Sequence, residues 1–179
     1  MLVVNKINPT ILVVFGATGD LFKKKLASAL LNLFVSGSLP EVFRVVAFSR
    51  RHWNDSEFRN FLSEILQKKL IDVAPEMLKK FSECFFYIEG DLGNLAGYQK
   101  VAELLGKLDK EAKVCANKLF YLATPPVFYE KILENISDSG LAIPCAPVEV
   151  GAEKGLVPLE TEGRFDPSQF LTGWTRILI

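Results

Sequence analysis

A doubly wound parallel α/β sheet, with helices on both faces, is the fold class this sequence predicts, and three observations predict it. Short, wholly apolar runs alternate with longer stretches whose apolar residues recur three and four apart, the pattern of buried parallel strands joined by crossover helices. The first run, 11–15, turns through Gly16-Ala17-Thr18-Gly19 straight into a helical pattern. The chain's 179 residues suffice for one sizeable core, so a single domain over 1–179 is expected.

Strands are expected at 11–15, 43–48, 85–88, 119–123 and 176–179. Between the first two, Phe22, Leu26, Leu30, Leu33 and Phe34 keep helical spacing, and Gly37 offers a left-handed stop. Asn54-Asp55-Ser56-Glu57 has the form of a capping box ahead of Phe58, Phe61, Leu62, Ile65 and Leu66. Pro75 admits a short helix carrying Met77, Leu78 and Phe81. After the third strand, Leu95, Tyr98, Val101, Leu104, Leu105 and Leu108 predict the helix that returns the chain to the fourth. Pro125-Pro126 ends that strand and opens another helix, with Val127, Ile132, Leu133 and Ile136 at helical spacing. Pro144 to Gly173 is rich in Pro, Gly and Glu without a sustained period, and reads as a loop-rich insert. Within it, 148–150 and 156–159 can pair as a small hairpin.

Composition narrows the function. Lys plus Arg and Asp plus Glu both number 21, for a formal net charge of zero, so no overall basic field is present to hold nucleic acid or an anionic membrane. Cys84, Cys115 and Cys145 are an odd set at wide spacings beside a single histidine. That argues against zinc and against a disulfide framework, and predicts inert thiols in a reducing compartment. Asn5, Lys6, Asn8 and Pro9 interrupt the apolar start before it reaches leader or membrane-span length, and a cytoplasmic protein is expected.

The turn after the first strand is where chemistry is expected. Glycine admits a ligand close to the backbone, and the amides at a helix start point at an anion, so this position and spacing suit the phosphates of a dinucleotide. Thr18 offers a hydroxyl, and Asp20 stands where a carboxylate caps a helix. Three successive lysines, Lys23, Lys24 and Lys25, cannot all face one site. The second strand ends in Phe48-Ser49-Arg50-Arg51, with no acid there to grip ribose hydroxyls. A guanidinium grips a phosphate through two parallel hydrogen bonds, so NADP is favoured over NAD, with Arg50 at the extra phosphate. His52, beside the pair, reads as a surface residue rather than a base.

Four segments together, Gly16 to Lys25, Leu39-Pro40, Phe48 to Arg51, and Leu119-Phe120-Tyr121-Leu122-Ala123-Thr124-Pro125-Pro126-Val127-Phe128-Tyr129-Glu130, resemble the N-terminal coenzyme domain of the glucose-6-phosphate dehydrogenases. The resemblance implies a Rossmann-type domain holding NADP. It places Gly16, Ala17, Thr18, Gly19, Asp20, Leu21 and Lys23 at the phosphates, Arg50 at the 2′-phosphate, and Tyr129 beside the coenzyme. The Ala123 to Pro126 turn would lie toward the nicotinamide. The implied reaction oxidises glucose 6-phosphate to its lactone in the pentose phosphate pathway, with hydride passing to the nicotinamide.

That chemistry needs a histidine base and phosphate-binding lysines. The family keeps them in Glu-Lys-Pro-Phe-Gly and Arg-Ile-Asp-His-Tyr-Leu-Gly-Lys, and neither motif occurs in this chain. Residues 173–179 resemble the strand leading into the first motif. No catalytic residue or metal ligand is therefore assigned, and the chain alone is expected to be inactive, with glucose 6-phosphate as a partner only once the missing half is supplied. The alternative is a stand-alone dinucleotide-binding or regulatory module. A short-chain reductase, which also begins on such a turn, wants a third glycine where Phe22 stands and a Tyr-x-x-x-Lys pair that is absent here.

Overall fold

The computed structural model describes residues 8–67, 73–143 and 173–179. Five parallel strands, β1 (Thr10–Phe15), β2 (Phe43–Ser49), β3 (Phe85–Glu89), β4 (Asn117–Leu122) and β5 (Thr175–Leu178), lie in the order β3-β2-β1-β4-β5. This is the doubly wound Rossmann-type arrangement expected, and the order reverses beside β1. The segment at 173–179 does dock as the fifth strand. Gly173 makes that possible, because a β-carbon there would stand 2.3 Å from the Ala116 carbonyl oxygen. The insert proposed for 144–173, with its hairpin, lies outside the described residues except for Gly173.

Period-two alternation sorts the strands' side chains into two cores. On one face Leu12, Val14, Val45, Ala47, Phe85 and Tyr87 pack under α1 (Ala27–Val35), α2 (Asp55–Gln67) and α3 (Pro75–Glu83). On the other, Ile11, Val13, Phe15, Val46, Phe48, Phe120 and Leu122 pack under α4 (Leu95–Ala112) and α5 (Tyr129–Asp138). Aromatic rings fill both: Phe22 lies 5.9 Å from Phe58 on the first face, and Phe15 stacks 5.2 Å from Tyr98 on the second.

Local signals hold where their partners are local. Asn54 and Glu57 close a reciprocal capping box, Asn54 N donating to Glu57 Oε2 at 2.7 Å and Glu57 N to Asn54 Oδ1 at 3.0 Å. Gly37, at φ +66°, ends α1 with its amide on the Phe34 carbonyl and that of Ser38 on the Leu33 carbonyl.

The first helix departs from expectation. Its opening turn, Phe22–Leu26, is π-helical, closed by the Ala27 amide on the Phe22 carbonyl. One extra residue in a turn rotates everything after it by ~100°. Ala27, Leu30 and Leu31 therefore face the core, while Leu33 turns outward. Val127 and Leu133 likewise sit on the exposed side of their helical segment, because a 3-10 turn, Pro126–Phe128, precedes α5 and puts Ile132 and Ile136 inward. Cys84 is a free, buried thiol as expected, but Cys115 is disulfide-bonded, since distance along the chain does not fix the distance between sulfurs after folding.

Two contacts of α4 limit substitution. Lys118 of β4 and Asp109 of α4 form a buried ion pair, and Asp109 also accepts the Ala116 amide at 3.1 Å. Asp109→Ala strands a buried ammonium, and denaturant unfolding should show a loss of about 3–5 kcal/mol. Asp109→Leu combined with Lys118→Met should recover most of it; equal losses in the single and paired variants would count against the pair. Near the start of the same helix, Gly97 of α4 meets Phe48, and a β-carbon there would lie 2.9 Å from two ring atoms. Gly97→Ala is expected to cost about 1–3 kcal/mol, read from the shift in unfolding midpoint.

Candidate dinucleotide-binding site

The turn after β1 presents backbone rather than side chains to the open end of the sheet. Gly16 adopts φ +85°, and a β-carbon there would stand 2.6 Å from the Ala123 carbonyl oxygen and 2.8 Å from Thr124 Cγ2. Glycine is thus required both by conformation and by space. The amides of Gly16 and Ala17 both donate to the Phe48 carbonyl, at 2.9 and 3.1 Å, and Gly19 donates to the Gly16 carbonyl at 2.8 Å. No backbone acceptor among the described residues takes up the amides of Thr18, Asp20 and Leu21. These donors lie at the start of the helical run, where the backbone dipole favours an anion.

The end of β2 forms the second side. Thr18 Oγ1 donates to Ser49 Oγ at 3.0 Å, and Ser49 Oγ lies 3.0 Å from the Tyr87 hydroxyl. Tyr87 in turn donates to the Arg51 carbonyl at 2.7 Å. Arg50 is exposed, and the Arg51 guanidinium lies 4.8 Å over the Trp53 ring. Burial pushes the Tyr87 hydroxyl's pKa above its ordinary value, so this phenol stays protonated and able to donate.

Turn and corner share one cleft of about 530 Å³. Gly16, Thr18 and Gly19 form one wall, Ser49, Arg50 and Arg51 a second, and Ala123, Thr124, Pro125 and Phe128 a third. Leu92 closes the remaining side, its carbonyl held by Tyr98 Oη at 2.8 Å and Asn135 Nδ2 at 3.0 Å. Thr124 Oγ1 is buried with no hydrogen-bond partner. Unclaimed amides, two arginines and an unsatisfied hydroxyl around one cleft fit a polyanionic ligand with polar groups at its other end.

Gly16, Thr18, Gly19 and Arg50 are thus brought together as the sequence suggested. Ala17 belongs to the turn but its side chain is fully buried. Asp20 does not cap the helix. Its carboxylate pairs with Lys24 at 2.9 Å and Lys23 at 3.2 Å, because both lysines follow it at helical spacing. Hydrogen bonds from Lys24 and then Lys23 hold its pKa below the usual carboxylate value. Leu21 is exposed, and Lys23 is partly exposed beside Asp20. Tyr129 is half-buried against the second core, and its neighbour Phe128 stands on the cleft wall. His52 is exposed, its Nδ1 2.6 Å from Glu89 Oε1. Sequence reasoning missed Leu92 and Phe128; the available signal was that loops after parallel strands gather at the ligand end of such a sheet.

Comparison with known proteins agrees with this fold. The family model described as "Glucose-6-phosphate dehydrogenase, NAD binding domain" matches residues 13–155. The glucose-6-phosphate 1-dehydrogenase of Chlamydia pneumoniae is 36% identical over 130 residues, covering 72% of this chain and 25% of that protein. That of Bacillus subtilis is 31% identical over 131 residues, covering 73% and 26%. A solved glucose-6-phosphate dehydrogenase in complex with its substrate glucose-6-phosphate superposes with a TM-score of 0.72 at 22% identity, over 96% of this chain and 30% of that one, a likeness of fold. The chain thus spans about a quarter of the length of the curated relatives it matches. It belongs to the family of glucose-6-phosphate dehydrogenase NAD-binding domains, and its fold is that of a dinucleotide-binding domain.

Proposed function

We propose that this chain is, over 1–179, a single NADP-holding domain, and that it serves the oxidation of glucose 6-phosphate to its lactone when the rest of such an enzyme is supplied. The observation that carries the coenzyme assignment is the meeting of unclaimed turn amides with Arg50 and Arg51 in one cleft. The amides of Thr18, Asp20 and Leu21 would hold the pyrophosphate, with Gly16, Ala17 and Gly19 keeping the turn clear of β-carbons in its path. Lys23 adds charge at the same helix start. Arg50 would take the 2′-phosphate through its planar fork, and no acid at the end of β2 competes for that place. Tyr129 would flank the coenzyme from the start of α5, and the Ala123 to Pro126 turn would lie toward the nicotinamide. NADP, when bound, supplies the hydride acceptor.

This chain's own part is to bind and orient. Its single histidine, His52, stands on the arginine side of the cleft, away from Thr124 and Pro125, so it is badly placed to take a proton from a sugar hydroxyl there. Relatives named glucose-6-phosphate 1-dehydrogenase support the sugar phosphate as the partner of the whole protein. Both reactants carry phosphates that a bilayer retains, which supports a cytoplasmic location. The Cys115 disulfide is the feature that runs against it.

Calorimetry should find NADP bound more tightly than NAD, with Arg50→Ala erasing most of the difference. The loss of one charge-assisted contact is about 2 kcal/mol, roughly thirtyfold in affinity. Equal affinities for the two coenzymes in the unmodified chain would refute the assignment. With NADP and glucose 6-phosphate both present, the purified chain should give no rise in NADPH absorbance. A steady rise abolished by Arg50→Ala would place the chemistry in this chain after all.

A further inference from the structure

The phenol of Tyr87 reaches the arginine corner from the neighbouring strand β3, although no part of it lines the cleft. Its hydroxyl lies 3.0 Å from Ser49 Oγ and 2.7 Å from the Arg51 carbonyl, with the Ser49 carbonyl 3.3 Å away. One hydroxyl therefore spans the residues on both sides of Arg50. Its ring is clamped in turn, stacked 5.3 Å from Phe58 at an interplanar angle of 22° and 6.2 Å from Trp53. The Tyr87 amide donates to Asp55 Oδ1 at 2.6 Å, which fixes the strand beneath it.

Counting protons gives the corner a direction. The Tyr87 proton goes to its shortest acceptor, the Arg51 carbonyl, so Ser49 must donate to the Tyr87 oxygen. Thr18 then donates to Ser49, as its geometry requires. Thr18 belongs to the glycine turn and Arg51 follows the second strand, so this single file of hydroxyls ties the two walls of the cleft together. Such a chain is cooperative, and it fixes the backbone on which Arg50 stands.

We infer that Tyr87 is a positioning residue for coenzyme choice: through Ser49 and the Arg51 carbonyl it holds the corner in the shape that lets Arg50 receive a phosphate monoester on the ribose. This rests on the NADP reading above. Removing the hydroxyl leaves the Thr18–Ser49 bond and the turn amides at the pyrophosphate end in place and loosens the corner beyond them, so it weakens the phosphorylated coenzyme and spares the other. Arg51 is exposed, and water can take over its carbonyl, so the variant keeps its fold.

The test uses calorimetric titration of NADP and NAD into the full chain, Tyr87→Phe, Arg50→Ala and the double variant, with thermal unfolding of each. Tyr87→Phe should lower NADP affinity roughly three- to tenfold, the worth of one ordinary hydrogen bond, and leave NAD within about twofold. In the Arg50→Ala background the same change should have no further effect on NADP, because the phenol acts through that arginine. An equal loss for both coenzymes, or an additive loss in the double variant, would overturn the positioning role. So would an unchanged NADP preference in Tyr87→Phe, with the NADP reading left standing. Equal affinities in the unmodified chain would remove that reading and the positioning role together.

Discussion

The backbone of Gly16 passes so close to the carbonyl of Ala123 that a β-carbon would stand 2.6 Å from it, and the cleft owes its shape to that contact. The two turns belong to adjacent strands on either side of the point where the sheet changes direction. Pressed together, they leave the space above them open on the arginine side. The register carries the constraint inward: Phe15 pairs with Leu122 and Phe48, and the Phe48 carbonyl accepts the turn's first two amides. A shift of either strand by one residue would turn its apolar side chains to the wrong face.

The cleft is supported differently on its two sides. Around the glycine turn, rigidity comes from the main chain, with the amides of Gly16, Ala17 and Gly19 held by two carbonyls, those of Phe48 and Gly16. Around Arg50 it comes from side chains drawn from three strands' ends: Thr18 after β1, Ser49 at the end of β2 and Tyr87 in β3. The third wall is held by α4 and α5, whose Tyr98 and Asn135 converge on one carbonyl, that of Leu92. Helices on one face of the sheet thus shape a loop at its end, a link from core packing to the site that passes through two hydrogen bonds.

Features with local causes were legible in the sequence. The five apolar runs gave the strands to within about two residues, the usual boundary error. The capping box at Asn54 and the glycine stop at Gly37 formed as written, because their partners lie within a few residues. The glycine turn, and the place of Arg50 on the cleft beside it, were also readable, since position in a strand-turn-helix unit carries the meaning. What failed depends on distant parts. The π-helical turn at Phe22 follows from seating that ring against Phe58 and Phe85, residues no helical period can foresee. The lysines' hold on Asp20 outcompeted capping, and Leu92 became a wall through Tyr98 and Asn135, whose side chains meet it only in three dimensions.

The order of strands in the sheet has a kinetic meaning. β1 finds its first neighbour, β2, after one helix, with Thr10 opposite Phe43, but its second only at β4, with Thr10 opposite Asn117. Closing so long a loop costs entropy before any contact compensates, and folds dominated by such pairings have high contact order and fold slowly. A nascent chain that has emerged only as far as β3 holds the glycine turn and the arginine corner without the wall that faces them. The cleft therefore stays incomplete until β4 arrives, and until then the centre of the sheet is itself an edge.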